Sequence, residues 1–507
     1  MLEGEACFPS FFKFGAASSG FQFEMGDPEG RAIDSGSDWW AWAHDPLNAA
    51  AGVVSGDLPE DGPCYWLLYR RDHELLCEMG LEAYRMGVEW SRIFPKPTFK
   101  VHVDVKLDGG VRAVHIDKGA LEELDKLADK AAVEHYREAI LDLKARGVHV
   151  TVCLNHFTMP AWLHSPLRAR STALREGGGW VSRQAVIEFT KYAAYMAYKL
   201  GDLVDAWATL NEPRAVAYEG YLRPRSGFPP GVLSLSAYTQ AMRHLVEAHA
   251  RAYDALKEWS PREVPAGVIY DIYLAEPLRE EDAEAAENAR YVLNWWYLDA
   301  IAKGLLAPEY TSEARSSPVH RSDLKGRVDW IGVNYYTRLI VKRGRLWSKS
   351  MDLLNWVPVR GYGFECRPNS TSLAGLPTSD AGQEMYPQGI REALKETYRR
   401  YKLPLVVSEN GVADHADKLR PHYILSHLAE VYKAIEDGVD VRGYYYWALV
   451  DNYEWAHGFR MRYGLCHVDF RTKHRLLRPS AIMYARIAAE KSIPGSITPP
   501  SLLEHCS

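Results

Sequence analysis

Two glutamates close short apolar stretches of the sequence, and their type and setting suit acid–base or nucleophilic chemistry. Glu212 lies in Trp207–Pro213, which reads Trp-Ala-Thr-Leu-Asn-Glu-Pro, and Glu409 lies in Val406–Gly411, which reads Val-Val-Ser-Glu-Asn-Gly. A carboxylate at the end of a buried strand costs stability, because desolvation disfavours its charge, yet it is useful for chemistry. Two such groups are what a two-carboxylate mechanism requires.

Cleavage of a glycosidic bond is the reaction that uses such a pair most directly. One carboxyl group protonates the departing oxygen, while the other meets the positive charge at the anomeric carbon; in retaining enzymes they lie about 5–5.5 Å apart. A structural ion pair is the alternative for either glutamate alone, but the Asn-Glu-Pro and Ser-Glu-Asn-Gly settings together favour catalysis. Pro213 disfavours helical geometry at Glu212, which predicts that Glu212 belongs to an extended strand end.

Eight strand patterns alternate with helical patterns along the chain. The strands are predicted over Phe12–Ser18, Ala83–Glu89, Val148–Leu154, Ala206–Leu210, Ala266–Tyr270, Trp330–Val333, Pro404–Ser408 and Arg442–Ala448. The helices are predicted over Tyr65–Met79, Leu121–Arg146, 183–200, 237–258, 281–303, 388–401, 419–437 and 479–491. Alternation predicts a parallel sheet, and eight strands predict an α/β fold, a closed (β/α)8 TIM barrel with its chemistry at the C-terminal strand ends.

Two insertions and one alternative fold complete this interpretation. Phe94–Ile116 carries Asp108-Gly109-Gly110 between alternating residues and predicts a hairpin, whereas 340–386 has few helix or strand signals and predicts a long loop that forms a lid. An open doubly wound sheet is the alternative, but no Gly-x-Gly-x-x-Gly or Walker loop accompanies a strand. Because neither a repeat nor a linker occurs, we predict one domain over residues 1–507, with long loops on the C-terminal face.

Bulk composition excludes several classes of partner. The 507 residues carry a net charge of −6 with no long run of one sign, which argues against nucleic acid and acidic membranes as partners. No apolar run approaches the roughly 18 residues of a membrane span, and the acidic N-terminus lacks the features of a secretory signal. The 16 Trp and 30 Tyr suit stacking on sugars and hydrogen bonding to them, although a large aromatic core would need them equally.

Cysteine usage indicates a reducing compartment. The seven cysteines are odd in number, widely spaced and without a Cys-x-x-Cys pair, which predicts reduced thiols in a cytoplasmic protein. They are Cys7, Cys64, Cys77, Cys153, Cys366, Cys466 and Cys506.

Three motifs together carry a family resemblance. Thr209–Pro213, Ser408–Gly411, and Gly443–Trp447 with its continuation Asp451-Asn-Tyr-Glu-Trp455 resemble the motifs of family 1 glycoside hydrolases, which are β-glycosidases. The chain is most similar to the thermophilic archaeal branch, and the match runs from Phe12 to about Pro479. The resemblance implies no cofactor, and no histidine spacing here indicates a metal.

The resemblance implies roles for five residues around the reacting atoms. Glu409 would be the nucleophile and Glu212 the acid/base. Asn211 would hold the sugar 2-hydroxyl, Arg85 would lie against Glu409 and keep it ionised, and Tyr336 would donate to Glu409.

Five further residues would bind the sugar itself. The resemblance gives Gln22, His156, Glu454 and Trp455 contacts with hydroxyl groups of the terminal sugar and makes Trp447 the stacking floor. From the residues alone, His156 could be a satisfied core histidine, Trp447 plain barrel packing and Glu454 a surface glutamate.

Several positions bear on specificity. Glu212 replaces the Gln of plant thioglucosidases, and Glu454 would repel a 6-phosphosugar, so unphosphorylated O-glycosides are expected. Phe157 stands where archaeal relatives have Trp, which removes one N–H donor to sugar. Gln383 stands where relatives have a Trp on the leaving-group side. The sequence of the tail after Pro479 is less similar to that of the relatives. The resemblance suggests a homo-oligomer, a dimer or tetramer.

The leading hypothesis is a retaining exo-β-glycosidase. It would hydrolyse terminal β-glucosyl, β-galactosyl or β-fucosyl units of oligosaccharides and of aryl or alkyl glycosides, with transglycosylation when another sugar is the acceptor. One alternative is an endo-glycanase of a related barrel family, which would cleave polymers in an open cleft. The other is a sugar-binding protein without catalysis, which usually lacks one of the two glutamates.

Overall fold

Eight parallel strands form a closed barrel. The structure, a computed structural model, describes residues 6–307, 317–344 and 355–493. We label the strands β1 to β8 in chain order: Lys13–Ala17, Ala83–Gly87, His149–Cys153, Ala206–Asn211, Ala266–Asp271, Trp330–Asn334, Leu405–Asn410 and Val441–Trp447. Each strand pairs with the next, and β8 pairs with β1. The predicted (β/α)8 barrel and all eight of its strands are confirmed.

The barrel strands are buried on both faces, as a parallel sheet covered by helices must be. Every residue of β2, β4, β5 and β6 is buried. The main core lies between the strands and the outer helices. It joins strand residues such as Trp207 and Val407 to helix residues such as Phe189, Leu245 and Leu428, all of which are fully enclosed.

A helix or helical segment follows each barrel strand. The long ones are Tyr65–Glu78, Lys130–Ala145, Arg183–Leu200, Leu235–Trp259, Ala283–Arg290 with Tyr291–Trp295 and Trp296–Lys303, Gln388–Tyr401, Arg420–Glu436 and Pro479–Glu490. The shorter ones are Gly20–Phe23, Asp38–Ala43, Pro46–Ala50, Pro59–Asp61, Trp90–Ile93, Lys118–Leu127, Pro166–Ser171, Gly179–Val181, Pro213–Leu222, Glu280–Asp282 and Trp455–His457. None of these helices, in the ranges described, is long and apolar enough to cross a membrane.

The helix predicted over Leu121–Arg146 is two helices. Lys118–Leu127 ends at Ala128, whose backbone is extended (ψ 145°). Lys130–Ala145 then begins after Asp129, whose carboxylate accepts the N–H groups of Ala131 and Ala132. The first backbone N–H groups of a helix have no partner within the helix, and an N-cap side chain accepts from them. The cap at Asp129 therefore marks the start of a second helix.

The predicted loop over 340–386 is wrong in its first part. Arg338–Arg343 pairs parallel with Leu274–Pro277 and antiparallel with Trp356–Pro358, so a three-stranded sheet stands beside the barrel. The central strand, Arg338–Arg343, pairs with Leu274–Pro277, which follows β5 in the chain. The local sequence pattern of a strand does not reveal a partner that is so distant in sequence. Residues 345–354 of the predicted lid lie outside the described residues.

The remaining strands are short and pair at the periphery. The predicted hairpin is confirmed as Asp104–Leu107 with Val111–His115. The others are Ala6–Cys7 with Ser492–Ile493, Leu305–Leu306 with Val319–His320, and Cys466–Val468 with Arg475–Leu477.

Candidate active site

A cavity of about 210 Å³ opens at the C-terminal ends of the barrel strands. Seven of the predicted site residues line it: His156, Glu212, Tyr336, Glu409, Trp447, Glu454 and Trp455. The other three, Gln22, Arg85 and Asn211, lie almost fully buried in the surrounding shell. Closure of the barrel therefore brings residues from β2, β4, β7 and β8 to one place, as the fold predicts for chemistry at this face.

Glu409 lies inside β7, which continues to Asn410 rather than ending at Ser408 as predicted. The extra residues are held because Asn410 donates to the Tyr335 carbonyl at 2.5 Å and accepts from the Tyr444 hydroxyl at 2.7 Å. Glu409 pairs across the sheet with Asn334 of β6. The sheet thus fixes the backbone from which the carboxylate projects.

Both oxygens of Glu409 are held by donors. Arg85 forms a buried ion pair with Oε1, and the Tyr336 hydroxyl donates to Oε2 at 2.7 Å. Burial and the charge of Glu409 raise the pKa of Tyr336 well above its usual range, so the phenol stays a donor. A cation and a phenol on one carboxylate stabilise its ionised form and fix its orientation.

Glu212 has a left-handed backbone (φ 44°, ψ 56°), so the predicted extended conformation is wrong. Pro213 disfavours the right-handed helical region at the preceding residue, and the helix Pro213–Leu222 begins at once. The backbone N–H of Glu212 donates to the Ile269 carbonyl of β5 at 2.9 Å, which holds this turn. Left-handed geometry strains a residue other than glycine, by about 1–3 kcal/mol, and such strain is common at functional sites.

The carboxyl group of Glu212 titrates near neutrality. Burial and the charge of Glu409 raise its pKa to about 7, against the opposing effect of Asn334, whose side-chain amide donates to Oε1 at 2.6 Å. The two glutamates of this cavity therefore differ in environment: a cation and a phenol contact Glu409, whereas burial and the neighbouring charge favour the protonated form of Glu212. Such a difference separates an acid from a nucleophile.

Two N–H donors stand side by side near the carboxylates. Arg85 donates from Nη2 to Nδ1 of His156 at 2.8 Å and to Oδ1 of Asn211 at 2.9 Å. Because Arg can only donate, Nδ1 of His156 accepts and the ring proton lies on Nε2. Burial and the Arg85 charge push the pKa of His156 well below its usual range, so the ring is neutral. Nε2 of His156 and Nδ2 of Asn211, 3.3 Å apart, are then both donors and are free to serve a ligand.

The wall built by β8 and the loop after it carries a carboxyl group and two indoles. Trp447 donates from Nε1 to Oε1 of Glu454 at 3.1 Å, and burial raises the pKa of Glu454 to about 8. The Trp455 ring stacks on Phe21 with an interplanar angle of 3°. Gln22 donates from its side-chain amide to Asn452 at 3.0 Å, so it joins this wall through Asn452.

Sequence reasoning missed two residues that hold the site together. Asn334, the last residue of β6, donates to Glu212 and to Asn211 (3.2 Å) and accepts from Ser408 at 2.8 Å. Glu89 accepts from the Phe21 backbone N–H at 2.9 Å and from the Thr158 hydroxyl at 2.6 Å. It thereby ties the segment of Gln22 to that of His156. Glu89 stands just beyond an apolar strand, as Glu212 does, so the same signal could have indicated it.

A second, larger cleft of about 690 Å³ adjoins the cavity and shares five lining residues with it: Tyr273, Phe364, Gln383, Glu454 and Tyr463. Across the ranges that the structure describes, no group of three or more His, Cys, Asp or Glu side chains is placed to hold a metal ion. A parallel barrel whose strand ends place two differently poised carboxyl groups in a cavity with aromatic walls defines the class of carboxylate-dependent glycoside hydrolases.

Comparison with known proteins gives the family. A family profile described as Glycosyl hydrolase family 1 matches residues 4–104 and 125–493. A β-galactosidase of Saccharolobus solfataricus is 46% identical over 490 residues, covering 97% of this chain and 96% of the relative. The chain belongs to glycosyl hydrolase family 1, and it is a glycoside hydrolase.

Two solved structures agree with this assignment. The β-glycosidase of the hyperthermophile Thermosphaera aggregans superimposes with a TM-score of 0.89 at 45% identity, covering 96% of this chain and 98% of that one. A β-glucosidase mutant derived from a hyperthermophilic tetrameric structure gives a TM-score of 0.87 at 45% identity, with 97% of each chain covered. The predicted resemblance to the thermophilic archaeal branch is confirmed.

Proposed function

We propose that this chain is a retaining exo-β-glycosidase with Glu409 as nucleophile and Glu212 as acid/base. The observation that carries the proposal is the contrast between the two carboxyl groups. Glu409 is held as an anion by Arg85 and Tyr336, while burial beside that anion raises the pKa of Glu212 to about 7. Its substrates are terminal β-glucosyl, β-galactosyl or β-fucosyl residues of oligosaccharides and simple glycosides, and the relatives named β-galactosidase and β-glucosidase support the galactosyl and glucosyl parts of this range.

The reaction proceeds in two displacements. In the first, an oxygen of Glu409 bonds to the anomeric carbon, the glycosidic bond breaks, and Glu212 gives its proton to the departing oxygen. Formation of the ester removes the charge of Glu409, which together with burial had raised the pKa of Glu212. The pKa of Glu212 therefore falls, and Glu212 stays ionised and able to accept a proton in the next step. In the second displacement, Glu212 takes a proton from water, the water oxygen bonds to the anomeric carbon, and Glu409 departs as a carboxylate.

The surrounding residues bind the sugar that is released. The Nε2–H of His156 and the amide of Asn211 offer donors, and Glu454 and Trp455 offer a carboxyl group and an indole on the opposite wall. Trp447 forms the floor, and Gln22 completes the shell. A cavity of about 210 Å³ is of the size of one sugar ring, which favours release of terminal residues over internal cleavage of a polymer.

A slow substrate tests the proposal directly. A 2-deoxy-2-fluoro β-glucoside with a good leaving group reacts in the first step, but the fluorine slows release. We expect mass spectrometry to find one fluorosugar bonded to the peptide that contains Glu409. An unmodified protein that also leaves aryl β-glucosides and β-galactosides intact would favour the sugar-binding alternative, and activity on polymers alone would favour the endo-glycanase.

The pH dependence follows from the proton on Glu212. The first step needs the protonated form, so kcat/KM is expected to fall as the pH rises through about 7, by about tenfold for each further pH unit. The measurement is kcat/KM for an aryl β-glucoside from pH 5 to 9. In a Glu212→Gln variant, assayed with a highly activated substrate, this limb should vanish; a limb that persists at the same pH would belong to another group.

Assembly, extent and location are further parts of the proposal. We infer one catalytic domain, a homo-oligomer of two or four subunits, and a cytoplasmic location. The tetrameric origin of one related structure supports the assembly, and light scattering in solution tests it. Six cysteines in the described ranges are free thiols, which suits a reducing compartment.

A further inference from the structure

The larger cleft is placed to receive the part of the substrate that leaves. It measures about 690 Å³ and meets the catalytic cavity at Gln383, Glu454 and Tyr463. If one sugar ring fills the inner cavity, the group beyond the scissile oxygen extends into this cleft. The chemistry of its walls therefore decides which leaving groups bind, an inference that rests on the function proposed above.

The cleft is rich in arginine. Among the described residues, four arginines line it, and two of them have internal partners: Arg214 forms a buried ion pair with Asp271, and Arg223 lies 3.3 Å from Glu219. Arg225 and Arg360 also line the cleft and are exposed, and neither makes a hydrogen bond or ion pair with the described residues. Within the part of the chain that the structure describes, these two guanidinium groups are cations without an anionic partner.

The acidic residues of the cleft do not cancel this charge. Glu219 is engaged by Arg223, and Glu365 is the one other lining carboxylate on the described outer wall. Glu454, at the inner end, is largely protonated at neutral pH because burial raises its pKa to about 8. The cleft therefore presents a net positive charge to a molecule that enters it.

Aromatic rings form the part of the cleft next to the catalytic cavity. Tyr273 and Phe364 stack at 5.1 Å with an interplanar angle of 27°, and the rings of Tyr218 and Trp356 also line the cleft. Gln383 adds an amide at the junction, where its Oε1 accepts from the Tyr463 hydroxyl at 3.3 Å. Flat apolar walls near the scissile bond and cations farther out suit a planar ring that carries an anion at its far end.

We propose that the cleft selects aryl leaving groups that carry a carboxylate on the side of the ring away from the glycosidic oxygen. The ring packs against the aromatic wall, and Arg225 and Arg360 bind the carboxylate. The guanidinium fork matches a carboxylate in geometry as well as in charge. Both arginines are exposed, so each contact is of moderate strength and weakens as salt rises.

Two matched substrates test the proposal. They are 4-carboxyphenyl β-glucoside and 4-carbamoylphenyl β-glucoside, which have the same shape but differ in charge. The quantity measured is the ratio of their kcat/KM values, acid over amide. It is compared between the wild-type protein, an Arg225→Gln/Arg360→Gln double variant, and an Arg399→Gln control, which removes an exposed arginine outside the cleft. The intrinsic reactivity of the two leaving groups cancels in this comparison.

We expect the ratio to fall by about three- to tenfold in the double variant, mainly through KM, and to stay unchanged in the control. The fall should shrink at high salt. A ratio that is equal in all three proteins, or that falls equally in the control, would overturn the proposal. The proposal would also be overturned if the double variant changed the kcat/KM ratio of a glucosyl-glucuronate to cellobiose but left the ratio of the two aryl glucosides unchanged. The preferred leaving group would then be a sugar acid rather than an aryl carboxylate. Failure of the proposed function itself is distinct, since neither glucoside would then be cleaved.

Discussion

A Glu409→Gly variant is expected to lose about 10⁵-fold in kcat for aryl β-glucosides, because it removes the carboxylate that is proposed to form the covalent bond to the sugar. Arg85 and Tyr336, which both contact the Glu409 carboxylate, remain in the variant without this partner. The space left by the side chain, facing a cation and a phenol, should accept a small anion. Added azide or formate should therefore restore part of the activity.

The product identifies the role of the residue. With Glu409 present, two displacements give a product with the β configuration. In the Glu409→Gly variant, azide attacks once, from the side where the carboxylate stood, so the product should be the α-glycosyl azide. Nuclear magnetic resonance distinguishes the two anomers. A Glu436→Gln variant, which changes an exposed helix glutamate, is the control for loss of one charge. Retention of more than about a hundredth of the activity in the Glu409→Gly variant would rule out Glu409 as nucleophile.

This variant also has a cost in stability. Arg85 is completely buried, and removal of its carboxylate leaves an unpaired charge, which costs about 3–5 kcal/mol. A Glu409→Gln variant fills the space but also leaves the charge unpaired. Circular dichroism and thermal unfolding of both variants must therefore accompany the kinetics, so that lost activity is not confused with lost fold.

A Glu212→Gln variant is expected to lose activity in proportion to how much its substrate needs a proton. For disaccharides and alkyl glycosides, kcat/KM should fall by about 10³–10⁴-fold, because a poor leaving group departs only when protonated. For a dinitrophenyl glucoside, kcat/KM should change little, since that group departs as a stable anion. The measurement is kcat/KM across a series of leaving groups.

The second step separates this role from a merely structural one. Without the base, water attacks the glycosyl ester slowly, so the ester should accumulate with the dinitrophenyl substrate. Azide, which needs no base, should speed turnover and yield the β-glycosyl azide, the opposite anomer to that expected from the Glu409→Gly variant. An equal loss for all leaving groups, with no effect of azide, would contradict the role given to Glu212.

The barrel strands and the two glutamates could be predicted because their signals are local, whereas the roles of the other eight site residues were predicted from the family resemblance. Apolar strand patterns recur at intervals along the chain, and Glu212 and Glu409 stand in short motifs at strand ends. The cavity joins residues from those strand ends and from the loops that follow them, yet their roles remain proposals until the variants above are measured. Local signals and the family resemblance together indicated which residues to test.

The features that escaped prediction depend on contacts between distant segments. The strand Arg338–Arg343 exists because Leu274–Pro277 lies beside it. The turn at Glu212 is held by the Ile269 carbonyl of the neighbouring strand, which no inspection of Asn-Glu-Pro reveals. Asn334 links three strands through its side chain, and its importance appears only once β4, β6 and β7 are adjacent.

The seam between β1 and β8 has a consequence for how the protein is made. Gln22 and Asn452 are 430 positions apart in the chain and hydrogen bonded in the shell of the cavity. While the ribosome is still adding residues, the early strands wait with one edge of their sheet unpaired. The cavity cannot be complete until β8 has been synthesised and has paired with β1, because β8 and the loop after it form one wall. A nascent chain that stops short of Trp455 therefore lacks part of the cavity wall, and its unpaired strand edge is the surface that a chaperone would have reason to cover.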